Sequence, residues 1–167
     1  MALIPKNRPR LKIPMTLMDK VSEAASALIV GLTTILFLFR YQAISSEVPM
    51  QYDFSGNVSR MGNKNELLLL LGVLILLYAG LTILQRYPHT YNYLVDITEG
   101  NAPRQYSLAV RMIRWLKLMM VGLFSLLLLQ SAFPEVISES LMFAGVILFI
   151  IATFVQMIGY FYLQGRK

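Results

Sequence analysis

The chain has 167 residues, of which 56% are hydrophobic and only 14% are charged, and its mean hydropathy is +0.59. A water-soluble domain of this composition would expose large apolar patches and aggregate, so the composition indicates an integral membrane protein. The formal net charge is +6, and the absence of cysteine excludes a disulfide framework and thiolate metal sites.

Four apolar runs follow one another along the chain, and each approaches the roughly 20 residues that a helix needs to cross about 30 Å of hydrocarbon. The second and fourth runs contain stretches that are apolar around the whole helix, which is typical of a helix surrounded by lipid. The predicted fold is therefore all-α, a single membrane domain over residues 1–167 with four transmembrane helices at about 21–40, 67–85, 116–133 and 141–163.

The basic residues are concentrated in three polar segments: the N-terminal tail, the connection 86–115 and the C-terminal end. Positive segments are retained on the cytoplasmic side of a membrane. Both termini and the connection 86–115 are therefore predicted to face the cytoplasm, and the loop 42–66 is predicted to lie outside. The positive charge also favours contact with membrane lipids, whereas a nucleic-acid partner is not expected because no interleaved aromatic residues accompany the basic ones.

The outer loop 42–66 contains a dense run of polar and turn-forming residues over positions 48–64. Its Pro, Asp, Ser, Gly and Asn residues set tight turns, so we expect an ordered loop. Its aromatic and charged side chains suit recognition of a partner. The alternative is a structural cap, in which Tyr52 and Phe54 fold back onto the helix ends, Asp53 braces a turn and the glycines permit positive backbone angles. The candidate binding residues are Pro49, Tyr52, Asp53, Phe54, Gly56, Asn57, Arg60, Gly62 and Lys64.

The cytoplasmic connection 86–115 is predicted to contain an amphipathic helix that starts near Asn101 and Pro103 and leads into the third span. Such a basic helix is expected to lie at the level of the lipid headgroups, with Trp115 and Lys117 as interface anchors. The alternative is a docking surface for an acidic cytoplasmic partner. The predicted basic face comprises Arg104, Arg111, Arg114 and Lys117.

Catalytic chemistry has little support in the sequence. His89 is the only histidine and no cysteine accompanies it, so the usual nucleophile–base and metal–ligand sets cannot be assembled. The polar side chains within the spans are mostly hydroxyls and amides, which usually join helices by hydrogen bonds. The alternative is that Gln130 or Gln156 lines a substrate path. We therefore predict no enzyme activity, no catalytic residue, no metal site and no cofactor.

The run 48–57, followed by Gly62-Asn63-Lys64, resembles the spaced Pro, aromatic, Asp, Gly and Gly-x-Lys signature of a bacterial membrane domain of unknown function. That domain forms the N-terminal part of the Sdp-type immunity proteins, and the segment 91–117 resembles a second block found in its relatives. The resemblance implies a multi-pass protein of the bacterial inner membrane. In the best-known members it implies protection from a secreted toxic peptide, coupled to sequestering a transcriptional repressor at the membrane. The matching positions are Pro49, Asp53, Gly56, Gly62 and Lys64.

The predicted function is that of a membrane binding or sensing protein, similar to toxin-peptide immunity proteins. It would recognise a secreted peptide or a membrane-protein partner through residues 48–64, and homo-oligomer formation stays open. One alternative is an accessory or scaffold subunit of a larger membrane complex, joined through the helix faces at Ser26, Gly31, Gly122 or Gly145. A second alternative is a small transporter or membrane enzyme, which needs a polar cavity reached from Gln130, Gln156, Tyr160 or the outer carboxylates.

Overall fold

The computed structural model describes residues 8–53 and 57–165. Four long helices make up most of this part of the chain, and each is long and apolar enough to cross a membrane. The chain is therefore a multi-pass membrane protein, as its composition predicts. The helices are α1 (Leu17–Arg40), α2 (Glu66–Leu84), α3 (Ala102–Ala132) and α4 (Glu139–Gly165).

The four helices alternate in direction, which gives the molecule two ends. The hairpin end comprises the described residues between α1 and α2, which are 41–53 and 57–65, and the segment 133–138. An ion pair between Arg40 and Glu135 joins the end of α1 to the latter segment. The terminal end comprises the segments 8–16 and 85–101. There the Arg8 side chain donates a hydrogen bond to the carbonyl of Tyr91.

Local sequence fixes where α1 begins. The Thr16 hydroxyl accepts a hydrogen bond from the backbone N–H of Asp19 at 3.2 Å, and the Asp19 carboxylate accepts one from the N–H of Thr16 at 2.8 Å. This capping box satisfies two backbone donors that the first turn would otherwise leave unpaired. It starts α1 at Leu17, one turn before the predicted span.

Helix α3 is the centre of the bundle. Its side chains are buried along its whole length, from Tyr106 through Val121 to Leu128, and α1, α2 and α4 all pack mainly on it. It runs without a break from Ala102, with Pro103 in its first turn, as the position of a helix-starting proline favours. The predicted amphipathic helix and the predicted third span are thus one continuous helix of 31 residues.

Helix α4 lies at the side of the bundle and leaves most of its apolar surface exposed. It approaches α3 closely at Gly145, where an added Cβ would clash with the side chain of Leu126. Small residues allow such close approach between membrane helices. The outer face of α4 is suited to lipid.

The segment between α1 and α2 contains a two-stranded antiparallel sheet, which the all-α prediction did not include. Strand β1 (Glu47–Tyr52) pairs with β2 (Val58–Asn63), and the register is irregular around Gln51. A proline and a glycine within the strands argue against a sheet, and an isolated hairpin is marginal in water. Packing on the helix ends compensates, because Val48 is only 5% exposed and belongs to the same core as the buried side chains of α1, α2 and α3.

Candidate functional site

Lys64 fastens the hairpin to the end of α1. Its Nζ donates hydrogen bonds to the carbonyls of Ile44 at 3.2 Å and Tyr41 at 3.4 Å, and it lies 5.1 Å from the centre of the Tyr41 ring. These carbonyls follow the C-terminus of a helix, where a cation is favoured. Lys64 was predicted as a binding residue, but its amino group is engaged by contacts within the chain.

Gly62 occupies a crowded position in β2. A Cβ at this residue would lie 2.5 Å from Oε1 of Glu66 and 2.7 Å from Cγ of Met50. Glu66 is itself held in place, because it accepts a hydrogen bond from the N–H of Asn63 and pairs with Arg60 at 2.9 Å. Crowding, and not the predicted positive backbone angle, is therefore the reason for glycine here. The hydrogen bond to Glu66 raises the pKa of the Arg60 guanidinium.

Asp53 and Asn57 close the tip of the hairpin. The Asp53 carboxylate accepts hydrogen bonds from the backbone N–H of Asn57 at 2.8 Å and from its side-chain amide at 3.2 Å, while the N–H of Asp53 donates to the carbonyl of Asn57 at 2.8 Å. This arrangement is the turn bracing that the sequence predicts for Asp53. The predicted binding residues Phe54 and Gly56 lie outside the described residues.

Tyr52 packs the hairpin onto α4. Its ring meets the ring of Phe143 edge to face, with the centroids 5.4 Å apart, a favourable geometry for an aromatic pair. Burial, and then the nearby carboxylate of Glu139, raise the pKa of the Tyr52 hydroxyl. Tyr52 thus folds back onto a helix end, as the cap interpretation predicts.

A cleft of about 310 Å³ lies between β1 and the ends of α1, α3 and α4, and we call it the hairpin cleft. Three carboxylates line it, from Glu47, Glu135 and Glu139, together with one guanidinium from Arg40, so its formal charge is −2. Arg40 pairs with Glu135 at 2.7 Å. This leaves Glu47 and Glu139 as the acidic groups available to a cationic ligand.

The predicted binding residues therefore divide into two groups. Pro49 lines the hairpin cleft, whereas the other described ones shape and anchor the hairpin beside it: Tyr52, Asp53, Asn57, Arg60, Gly62 and Lys64. The acidic residues of the cleft were absent from the candidate binding residues, and the outer carboxylates were considered only for the transporter or membrane-enzyme alternative. Within residues 8–53 and 57–165, no group of three or more His, Asp or Glu side chains is placed to hold a metal ion.

The predicted basic face at the terminal end is corrected by the structure. Arg114 is only 4% exposed and Lys117 is fully buried, so neither faces lipid headgroups. Arg114 lies 3.2 Å from a carboxylate oxygen of Asp19, and Lys117 lies 2.6 Å from one of Glu23. We call these four side chains the ion-pair cluster. Arg111 remains largely exposed, with its Nε 3.9 Å from Asp19.

Helical spacing explains this correction. Asp19 and Glu23 are four residues apart on α1, and Arg114 and Lys117 are three apart on α3, so each pair occupies one face of its helix. Buried charges need partners, and the two faces provide them for each other. Residues from the end of α2 complete the network: Gln85 bonds to Glu23 and to Arg114, and Thr82 bonds to Lys117.

Arg104, the remaining member of the predicted basic face, lies on the exposed side of α3. Its guanidinium donates a hydrogen bond to the carbonyl of Leu163 at 3.1 Å, near the end of α4. This contact connects the two helices at the terminal end. The four predicted basic residues therefore do not form a common face.

The amides proposed for a substrate path have different surroundings. Gln156 donates a hydrogen bond to the carbonyl of Met112 at 2.6 Å, so it joins α4 to α3. The cavity that Gln156 and Tyr160 share is lined mostly by apolar side chains. Gln130 lies elsewhere, in the hairpin cleft. The two glutamines therefore do not line one polar path.

Comparison with known proteins gives one match. Residues 28–76 match the family model of a domain of unknown function, DUF1648, a family often found in membrane proteins. The matched segment contains the second half of α1, both strands of the hairpin and the first half of α2. No curated protein and no solved structure matches the chain. The hairpin thus lies within the matched segment, and the likeness to immunity proteins stays a prediction.

Proposed function

We propose that this protein is a membrane binding protein that recognises a positively charged extracytoplasmic peptide at the hairpin cleft. The observation that carries the proposal is the formal charge of −2 in a cleft beside a pre-shaped hairpin. The distribution of basic residues supports the orientation that this function requires, with the hairpin end outside and the terminal end in the cytoplasm.

The cleft offers two kinds of contact to a peptide. Glu47 and Glu139 can pair with lysine or arginine side chains, which complementary charge would also steer toward the membrane surface. Strand β1 lies along the cleft and can pair with an extended peptide as an added strand. Pro49 has no N–H and limits this pairing to part of the strand, which protects an exposed edge against unspecific association.

The hairpin is held in one shape before any ligand arrives. Lys64 fixes it to α1, Tyr52 fixes it to α4, and Asp53 closes its tip. Ordering a loop on binding costs free energy, so a pre-shaped hairpin retains more of the interaction energy for affinity. The structural role of these residues therefore supports recognition and does not compete with it.

We extend this proposal to a specific role, which is immunity against a secreted toxic peptide in a bacterial inner membrane. It rests on the resemblance of residues 48–64 to the Sdp-type signature, and the acidic cleft adds a physical reason for capturing a cationic peptide. Binding alone would keep such a peptide from its target. The described arrangement requires no catalytic step for this role.

Photocrosslinking tests the proposal. A photoreactive amino acid at Ser45 or Ser131 faces the hairpin cleft, whereas one at Ser59 lies on the exposed strand β2 and serves as the matched control. In cells of the source strain, we expect capture of a basic peptide from positions 45 and 131 but not from position 59. The double variant E47Q/E139Q should lower the capture about tenfold, because two charge pairs are lost.

Two outcomes would overturn it. Equal capture from Ser59 would show that the peptide adheres to the membrane surface and not to the cleft. Capture that is unchanged in E47Q/E139Q, or that does not weaken at high salt, would exclude charge recognition. Intact expression and helical circular dichroism of the variants keep either result interpretable.

An accessory or scaffold subunit is the second candidate, and the exposed apolar face of α4 favours it. Two of the small residues proposed for an interface with another protein pack inside this chain instead, because Ser26 is buried and Gly145 lies against Leu126. Gly31 and Gly122 have open space beside them. Capture of a single membrane protein from a photoreactive residue at Leu148 on the outer face of α4, with no peptide at the cleft, would support this role instead.

A further inference from the structure

A second polar cavity lies at the terminal end, beside the ion-pair cluster. Its volume is about 450 Å³, within the range of roughly 300–1,000 Å³ for small-molecule sites. The extended segment 8–16, which we call the strap, forms one wall, and α1, α2 and α3 form the others. We call this space the strap cavity.

The strap is held across the end of the bundle by Arg8. The guanidinium of Arg8 donates to the carbonyl of Tyr91 and lies 5.3 Å from the centre of the Tyr93 ring. Burial raises the pKa of Tyr93, so this ring stays neutral beneath the cation. The contact keeps Lys12, which follows four residues later, at the wall of the cavity.

The cavity has an excess of positive charge. The ion-pair cluster contributes two carboxylates and two cations, so its formal charge is zero. Lys12 and Arg86 also line the cavity, and within residues 8–53 and 57–165 neither forms an ion pair. Both side chains are exposed at the mouth. The lining therefore favours an anionic ligand, which Lys12 and Arg86 can each contact with a charged hydrogen-bond donor.

Glu23, at the wall of the cavity, favours a ligand that also carries a hydrogen-bond donor. Its Oε2 accepts hydrogen bonds from Lys117 and Gln85, whereas its buried Oε1 accepts none from the described side chains. The nearest cation, Nε of Arg114, is 4.0 Å from that oxygen. A ligand that places a hydroxyl donor here would satisfy a buried acceptor that is otherwise costly.

The surroundings favour an amphiphile over a wholly polar molecule. Met15 lines the cavity and is exposed, and the neighbouring turns of α1 and α2 expose the apolar side chains of Met18, Val21 and Ile83. Met18, Val21 and Ile83 belong to the ends of two membrane-spanning segments. A charged cavity that continues into an apolar surface at this level matches a lipid headgroup with its acyl chains.

We propose that the strap cavity binds the headgroup of an anionic phospholipid. The phosphodiester lies between Lys12 and Arg86, and a hydroxyl at the far end of the headgroup donates to Oε1 of Glu23. The recognised chemistry is a phosphate ester with a distal hydrogen-bond donor, and the apolar surroundings assign its source to the bilayer. This site differs from the predicted basic face, since Arg114 is the one member of that face that lines it, and Arg114 is already paired with Asp19.

Native mass spectrometry of the full, lipid-stripped chain in detergent tests the site. The probes are dioleoylphosphatidylglycerol and dioleoylphosphatidylmethanol, which carry the same charge but differ in the distal hydroxyls. We expect bound phosphatidylglycerol to exceed phosphatidylmethanol several-fold. The variant K12Q/R86Q should lower binding of both lipids about tenfold, because each basic side chain near the headgroups contributes a few-fold.

The double variant R10Q/K20Q is the matched control. It removes the same charge from exposed positions at the same end that do not line the cavity, so binding should stay within twofold of the unchanged chain. Equal losses in the two double variants would overturn the site in favour of diffuse attraction. Equal binding of the two lipids would overturn the contact with Glu23. Displacement of the lipid by soluble glycerophosphoglycerol at an equal concentration would overturn the lipid as the source.

Discussion

Oppositely charged side chains meet at both ends of this bundle, but their surroundings differ. At the hairpin end, the side chains of Arg40 and Glu135 are 39% and 54% exposed, so water screens their attraction. At the terminal end, Lys117 is fully buried against Glu23. An exposed pair contributes little to stability, whereas breaking a buried pair leaves a costly unpaired charge. The buried charges at the terminal end therefore help to hold the helices together, whereas at the hairpin end Glu47 and Glu139 stay available for a ligand.

The largest expected effect comes from breaking the buried pair. Lys117→Met should destabilise the protein by about 3–5 kcal/mol, because Glu23 would lose its charged partner inside the bundle. Thermal unfolding in detergent, followed by circular dichroism, measures the loss. The double variant E23L/K117M should recover much of it, since no lone charge remains. A double variant as unstable as the single one would show that the pair acts through specific hydrogen bonds.

Crowding at the hairpin gives the next effect. Gly62→Ala should cost about 1–3 kcal/mol, because its Cβ would displace Glu66 and Met50. Faster hydrogen exchange in β1 and β2 would report the loss locally. Gly72→Ala is the matched control on α2, where a Cβ meets nothing within 4 Å. That change should be neutral or slightly stabilising, since alanine is the better helix former.

Breaking the exposed pair should have a small effect on stability. Arg40→Gln should lower the free energy of unfolding by no more than about 1 kcal/mol, because the exposed carboxylate of Glu135 can be hydrated by solvent. The same variant makes the hairpin cleft more negative, so binding of a basic peptide should become stronger at low salt. Fluorescence anisotropy with a labelled lysine-rich peptide measures this. Weaker binding would assign Arg40 to the ligand contact.

The smallest expected effect concerns a tyrosine at the terminal end. Burial raises the pKa of Tyr91 from 10.0 to about 12, and its hydroxyl donates to the carbonyl of Leu84 at 2.7 Å. The folded chain keeps this proton where the unfolded chain loses it. The resulting contribution is complete below pH 10 and is lost as the pH rises through about 12.

Ultraviolet titration of Tyr91→Phe measures that shift. The variant should lack one tyrosine in the absorbance change near pH 12 and match the unchanged chain near pH 10. If the variant instead lost absorbance change near pH 10, Tyr91 would be exposed to water and not buried.

Much of the fold follows from the sequence. The four spans could be predicted from apolar length alone, because hydrocarbon requires unbroken helices that satisfy their own backbone. The continuity of α3 could not be predicted from the sequence, since its first half is amphipathic and has the pattern of a helix on the membrane surface. Long-range contacts, such as that of Arg114 with Asp19 nearly a hundred residues away, show that this half packs inside the bundle.

The candidate site was predicted in part. The turn-forming residues correctly indicate an ordered segment, and Asp53 braces a turn as expected. The sheet was missed because Pro49 and Gly62 weaken any strand pattern, and its stability comes from packing on distant helix ends. The hairpin cleft was missed because Glu139 reaches it from α4, a contact that no local pattern encodes.

The central claim is that the two ends have separate roles, and one paired measurement tests it. Capture of the basic peptide at Ser45 and occupancy by phosphatidylglycerol would be measured for the unchanged chain, E47Q/E139Q and K12Q/R86Q. The account predicts that the first variant loses the peptide and keeps the lipid, while the second keeps the peptide and loses the lipid. Loss of both ligands in either variant would contradict the separation and point to one coupled site.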